Sequence, residues 1–161
     1  MNEWIGIAAV GAGATAVMDV WLALLKRCKV PTLDFALLGR WVGHVGRGQW
    51  FHPAGIARSA PIRGERALGW LAHYAIGVVF AAVLVTVNGP AWLAHPTALP
   101  ALAAGLATVV APLFVLQPAM GSGIAASKTA TPGRNVLRSV ANHAVFGLGL
   151  YVAAAAWNQL H

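Results

Sequence analysis

Residues 68–88 read LGWLAHYAIGVVFAAVLVTVN, a run without a single formal charge. It is long enough to cross the hydrocarbon core of a bilayer, which takes about 20 apolar residues. Arg63, Glu65 and Arg66 stand just before it and Asn88-Gly89-Pro90 close it. Three further stretches have the same character: Trp4–Leu25, Leu99–Gln117 and Val140–Leu160. The chain is 58% hydrophobic and only 9% charged, against about 25% charged in soluble domains. The sequence therefore predicts an all-α integral membrane protein with four transmembrane helices, forming one domain over residues 1–161.

Charge placement orients these spans. All 11 Lys and Arg residues lie in two segments, Lys26 to Arg66 and Lys128 to Arg138. Positive charge accumulates in cytoplasmic loops, so those segments are expected inside and both termini outside, in the periplasm. Trp4, Trp92 and Trp157 then fall near the outer interface, and Trp21 and Trp70 near the inner one, as an aromatic belt does. The Met-Asn-Glu start carries no Lys or Arg, so the first stretch reads as a span rather than a signal peptide. The net charge of +7 is then matched to anionic lipid headgroups rather than nucleic acid. Lys26, Arg27, Lys29 and Arg40 are the expected lipid-facing cations. Cys28 is the single cysteine, so no intramolecular disulfide exists.

Within the first basic segment, Leu37, Leu38, Trp41, Val42 and Val45 recur at helical spacing. With Pro31 and Thr32 as start signal, they predict a short amphipathic helix on the cytoplasmic surface. The alternative is a loop helix packed on the bundle.

The second half echoes the first. Gly55-Ile-Ala-Arg-Ser59 matches Gly123-Ile-Ala-Ala-Ser127, and Pro61 and Arg63 match Pro132 and Arg134. His73-Tyr-Ala-Ile-Gly77 matches His143-Ala-Val-Phe-Gly147, and Thr15 parallels Thr108. Matches in the same order predict two parallel two-helix repeats, 1–88 and 99–161. Repeat one then carries a cytoplasmic insertion at about residues 31–54, which holds the proposed surface helix.

Small and polar residues recur every four positions in Gly11, Thr15 and Asp19, in Gly69, His73 and Gly77, and in Ser139, His143 and Gly147. Such spacing keeps them on one helix face, and small residues let helices approach closely. At 1.5 Å rise per residue, Asp19 lies about 9 Å from its helix end and His73 about 8 Å. The expected result is one polar layer of Asp19, His73, Gln117, Asn142 and His143, with Thr15 a turn deeper.

A carboxylate inside a span costs at least about 2.5 kcal/mol, so Asp19 requires a partner: His73, His143, Arg66 or Arg138. Three functions suit the layer. Two imidazoles and a carboxylate could bind or translocate a small cation or solute, a first-row transition metal or a proton among them. His73 and His143 could be axial ligands of a b-type haem, although Asp19 would set an anion beside the ring. Alternatively the faces serve packing alone, in a scaffold or assembly protein, with Asp19 a paired residue that fixes helix register. His44 and His52 form a possible second metal site, although solvent-exposed loop histidines are the commoner case. Glu65, in the first turn of a span, is expected beside Arg63 or Arg66. His95 and His161 receive no role. A bundle this small could also build its pathway as a homodimer. Phosphate-loop, H-E-x-x-H and G-x-S-x-G motifs are absent, so nothing here calls for an enzyme.

Several segments together resemble a known family: Gly13-Ala-Thr-Ala-Val-Met-Asp19, Gly39-Arg-Trp-Val-Gly-His44, Gly64-Glu-Arg-Ala-Leu-Gly-Trp-Leu-Ala-His-Tyr-Ala-Ile-Gly77, Gln117-Pro-Ala-Met-Gly121 and His143-Ala-Val-Phe-Gly-Leu-Gly149. They are similar to a bacterial family of small four-helix inner-membrane proteins catalogued as a domain of unknown function. The resemblance spans nearly the whole chain and implies a bacterial inner-membrane location. It implies no substrate or cofactor.

Overall fold

Four helices of the computed structural model are long and apolar enough to cross a membrane: α1 (Glu3–Arg27), α3 (Glu65–Asn88), a rod over Ala98–Ala119, and α7 (Pro132–Leu160). The structure describes residues 3–160, and no strand occurs among them. The remaining elements are short. Helix α2 covers Phe35–Val45 and α4 covers Ala91–Ala94, and single 3-10 turns lie at Ile56–Arg58 and Ile124–Ala126. His161 and the terminal Met1 and Asn2, which the expected topology places outside, lie beyond the described residues.

The outward surfaces agree with a lipid environment. On α3, Leu71, Val79, Val83 and Val87 are all exposed, while Ala81, Leu84 and Val85 on the opposite side are buried. A helix apolar on both faces is what a bilayer selects. Leu137, Leu148 and Val152 of α7 and Phe114 and Val115 of the rod repeat the pattern.

Three elements differ from the sequence expectation. Helix α2 starts later than Pro31 and Thr32 suggest. Its N-cap is Asp34, whose Oδ1 accepts from the Ala36 N–H at 2.9 Å; this satisfies a donor the helix start would otherwise orphan. Helix α7 begins eight residues before Val140, at Pro132. Proline suits the first helical turn because its missing N–H is not needed there. Arg134 and Arg138 are therefore helical residues rather than loop residues. The third span is not one uniform helix. It comprises α5 (Ala98–Ala107), a π-helical stretch (Ala111–Leu116) and α6 (Gln117–Ala119). Pro112 offers no N–H and crowds the carbonyl a turn earlier, and the backbone answers with a wider i→i+5 turn that ends on the bond from Gln117 N–H to Pro112 O.

The chain divides into two compact units. The first comprises Met1–Pro31, Tyr74–Thr108 and Ala141–His161, and the second Thr32–His73 and Val109–Val140. In the first unit α1, α3, α5 and α7 share one core. Ile7, Val10 and Ala14 come from α1, Leu84 and Val85 from α3, Ala101 from α5, and Phe146, Leu150 and Ala154 from α7, and Trp92 and Leu93 of α4 cover it. Between helices in lipid, burial itself contributes little, and close van der Waals packing takes over. Two glycine crossings provide that packing. A Cβ on Gly11 would sit 2.5 Å from Val78 Cα. One on Gly105 would collide with Gly147 Cα and lie 2.7 Å from the His143 carbonyl. So α1 is seated on α3, and α5 on α7, with backbone against backbone.

The second unit is built on a tighter crossing. A Cβ on Gly39 of α2 would overlap the Glu65 carbonyl oxygen, and one on Gly69 of α3 would overlap the Phe35 carbonyl oxygen. Phe35 then lies over Trp70 and His73, each at a ring-centroid distance of 4.4 Å. Leu38 is 3% exposed, so α2 is a packed element of this unit.

Candidate functional site

In the first unit, the polar side chains named from the sequence are arranged as hydrogen-bonded pairs. Asp19, half-buried on α1, accepts from Tyr74 Oη at 2.8 Å. A hydrogen bond to a charged group contributes about 1.5–3 kcal/mol, comparable with the cost of placing a carboxylate in a span. The sequence reading missed Tyr74, because it lies one residue off the His73 stripe. The signal was present all the same, since a tyrosine beside a histidine in a span is a donor at a carboxylate's depth. Asn142 Oδ1 accepts from Trp21 Nε1 at 2.9 Å. That bond employs one of the proposed belt tryptophans inside the bundle. Thr15, fully buried, donates to Gly11 O at 2.8 Å.

His143 is held in one tautomer. Thr108 Oγ1 donates its single hydrogen to Gly105 O at 2.6 Å. It must therefore accept from His143 Nδ1, 2.7 Å away. With the proton on Nδ1, the lone pair of the neutral ring sits on Nε2. That nitrogen is the one able to take up a proton or ligand. Thr15 and Thr108, paired in the expected repeats, each donate to a glycine carbonyl, and Thr108 also meets a histidine.

The second unit holds the rest. His73 is 8% exposed and packs on Phe35 and Trp70. Gln117 donates to Ser139 Oγ at 3.3 Å, while its Oε1 is buried with no hydrogen-bond partner. Glu65 pairs not with Arg63 or Arg66 but with Arg40, in a bidentate contact of 2.8 Å on each side. A fork-to-fork geometry of this kind suits guanidinium and carboxylate planes. Glu65 Oε2 also accepts from the Ile62 N–H at 3.0 Å. Arg40 donates further to the carbonyls of Ala57 and Ser59. It thus turns into the protein rather than toward lipid headgroups, because the α2 crossing brings it over the start of α3. The Glu65 carboxylate holds the Arg40 guanidinium above its ordinary range. Lys26, Arg27 and Lys29 are exposed.

His44 and His52 are not solvent-exposed: they are 7% and 3% exposed, with ring centroids 5.0 Å apart, edge to face. The loop after α2 folds back and is stitched down by bonds from His52 N–H to Ala119 O and from Ile56 N–H to Met120 O. His44 Nε2 faces the Ala60 carbonyl at 2.9 Å, which can only accept, so that nitrogen carries a hydrogen. His44 Nδ1 lies 2.9 Å from the Gln49 amide. His52 Nδ1 lies 2.8 Å from Ser59 Oγ, and its Nε2 is buried without a partner. Burial, reinforced by His44 nearby, holds the His52 imidazole below its ordinary 6.5. The folded form thus resists a proton that the unfolded chain accepts. Stability should therefore be full above pH 6.5 and fall as pH drops below it. Thermal unfolding followed by tryptophan fluorescence from pH 8 to pH 5 should show this fall, and His52→Gln should flatten it. An unchanged slope in the variant would remove His52 from the account.

Among the described residues, no group of three or more His, Cys, Asp or Glu side chains is placed to hold a metal ion. The family described as "Protein of unknown function (DUF2938)" matches residues 8–157. The chain belongs to this family. No curated protein and no solved structure matches it.

Proposed function

We propose that this member of the DUF2938 family is a multi-pass protein of a bacterial inner membrane. In this reading it binds or translocates a small cation or solute through the ionisable groups of its spans: Asp19, His143 and, one residue before Tyr74 on α3, His73. Its basic segments face the cytoplasm, as their charge favours. The observation that carries the reading is the pairing in the first unit. A carboxylate on a membrane-length helix accepts from a tyrosine, and a histidine is locked by Thr108 with its basic nitrogen left as Nε2. Ionisable groups within spans mark ion and proton pathways.

Among small cations the proton fits these pairs best. Each pair presents one or two proton-accepting atoms rather than a ligand cage, and no three-ligand cluster occurs among the described residues. The packing of the first unit does not favour a haem. The glycines four residues beyond each histidine would have to make room for the ring. Gly77 instead lies against Gly11 and Thr15, and Gly147 against Ala101, Leu102 and Gly105.

The test is proton flux into liposomes reconstituted with the purified chain, read by an entrapped pH dye under an imposed potassium diffusion potential. Asp19→Asn and His143→Phe should each cut the protein-dependent flux at least about tenfold, one decade being about 1.4 kcal/mol of barrier. Arg63→Gln should leave it intact. Flux no greater than in protein-free liposomes, or equal flux in all variants, would overturn the proton reading.

A further inference from the structure

The second unit carries a cavity of about 360 Å³ whose lining includes Phe51, Pro118, Gly123, Ile124, Ser127 and Lys128. Its lining is chemically mixed. Phe51 and Ile124, 66% and 59% exposed, are its large apolar side chains. Lys128 and Ser127 add a cation and a hydroxyl, and neither side chain has a hydrogen bond or ion pair to another described residue. The segment beside Phe51 is anchored. Residues 52–56 are fastened to 119–120 by the two backbone bonds from His52 and Ile56, so Phe51 projects from a fixed strap. Gly123 enters the loop at φ +76, a conformation that favours glycine, and the loop returns through the bond from Lys128 N–H to Ser122 O at 2.9 Å.

The position in the chain sets the depth. The cavity loop joins the end of one membrane-length helix, at Ala119, to the start of another, at Pro132. It therefore belongs at the membrane–water interface. The charge is one-sided as well. The four acidic residues are Glu3, Asp19, Asp34 and Glu65, so the segment with Lys128, Arg134 and Arg138 contains no carboxylate. A basic pocket beside exposed apolar side chains at interface depth is the form of a headgroup site, and the volume is in the range of small-molecule sites.

We propose that this cavity holds one anionic glycerophospholipid of the surrounding membrane. Its phosphate lies on Lys128 and Ser127 and its acyl chain on Phe51 and Ile124. The site is separate from the proton pathway proposed above, and either can stand without the other.

Native mass spectrometry of the detergent-purified full chain tests it, with phosphatidylglycerol and phosphatidylcholine of identical acyl chains as probes. The wild-type chain should retain one phosphatidylglycerol in preference to phosphatidylcholine. Lys128→Gln should lower that preference about fivefold, as one basic residue at a membrane surface is expected to do. Ile124→Asn should weaken retention of both lipids, and Arg63→Gln should change neither. Equal retention of the two lipids by the wild-type chain, or an undiminished preference in Lys128→Gln, would overturn the proposal. So would displacement of the lipid by glycerol phosphate at equal concentration, which would reduce the site to a free-anion site.

Discussion

Gly39→Leu should detach α2 and destroy the second unit's packing. The crossing of α2 over the start of α3 puts backbone on backbone: a Cβ at position 39 would overlap the Glu65 carbonyl, and Gly69 N would lie 2.5 Å away. Neither neighbour is a flexible side-chain end, so the clash can be relieved only by moving a helix. Overpacking of this kind costs about 3 kcal/mol or more, a large part of the roughly 5–15 kcal/mol that holds a domain together. The movement would also pull Arg40 off Glu65 and uncover His44. Limited trypsin digestion of the purified protein reads this directly. Cleavage after Arg40 and Arg47 should be fast in Gly39→Leu and slow in the wild-type chain. Gly43→Ala is the contrast. The three atoms nearest its Cβ all belong to the Ile62 side chain, with the tip of that chain at 2.5 Å. A side-chain tip can turn away, so cleavage should stay near wild type. Equal digestion of Gly39→Leu and wild type would refute the crossing.

The second large effect is expected at Gly105. A leucine there would strike Gly147 Cα and crowd Gly147 N at 2.6 Å and His143 O at 2.7 Å. Helix α5 would be forced off α7, and the bond between Thr108 and His143 would go with it. The loss should again be about 3 kcal/mol or more, read as a lowered midpoint when the protein is unfolded in mixed micelles of rising SDS content. Thr108→Val separates packing from hydrogen bonding. It removes the hydroxyl but keeps the volume, and should cost only about 1 kcal/mol. It should also free His143 to change tautomer, so histidine ring NMR shifts should move in Thr108→Val while the helix content stays constant. Gly105→Leu unfolding at the wild-type midpoint would show that the α5–α7 approach contributes nothing to stability.

Both positions show why part of this molecule is readable from sequence and part is not. A glycine repeating every four residues announces that something comes close to that face. Gly11, Gly69, Gly77 and Gly147 stand out in that way, and each does lie against a backbone. What comes close is not encoded in the spacing. Gly69 receives α2 rather than a helix of the bundle, and Gly39, its partner, lies in a segment whose hydrophobic pattern also allowed a helix resting on the membrane surface.

The candidate site follows the same division. Asp19, Asn142 and His143 stand out in the sequence because a polar residue in an apolar run is conspicuous. Their partners Tyr74, Trp21 and Thr108 do not, because tyrosine, tryptophan and threonine are ordinary in spans. The histidines of the basic loop failed differently. His44 and His52 are eight residues apart with no helical register between them, so their meeting depends on a loop fold that two backbone bonds to Ala119 and Met120 impose.

By itself the sequence determined four apolar helices of membrane length, the two basic segments at their ends and the family to which the chain belongs. The helices and their charged ends follow from hydropathy and composition, which are sums over local residues, and the family follows from the order of its motifs. The tertiary structure alone decided that Arg40 lies on Glu65, that His44 and His52 are buried against one another, and that Asp19 takes its hydrogen bond from Tyr74. It also decided that the third span widens at Pro112 instead of running as a uniform helix. Each of these depends on how one helix crosses another or on how a backbone answers a missing donor, and no property of single residues carries that information.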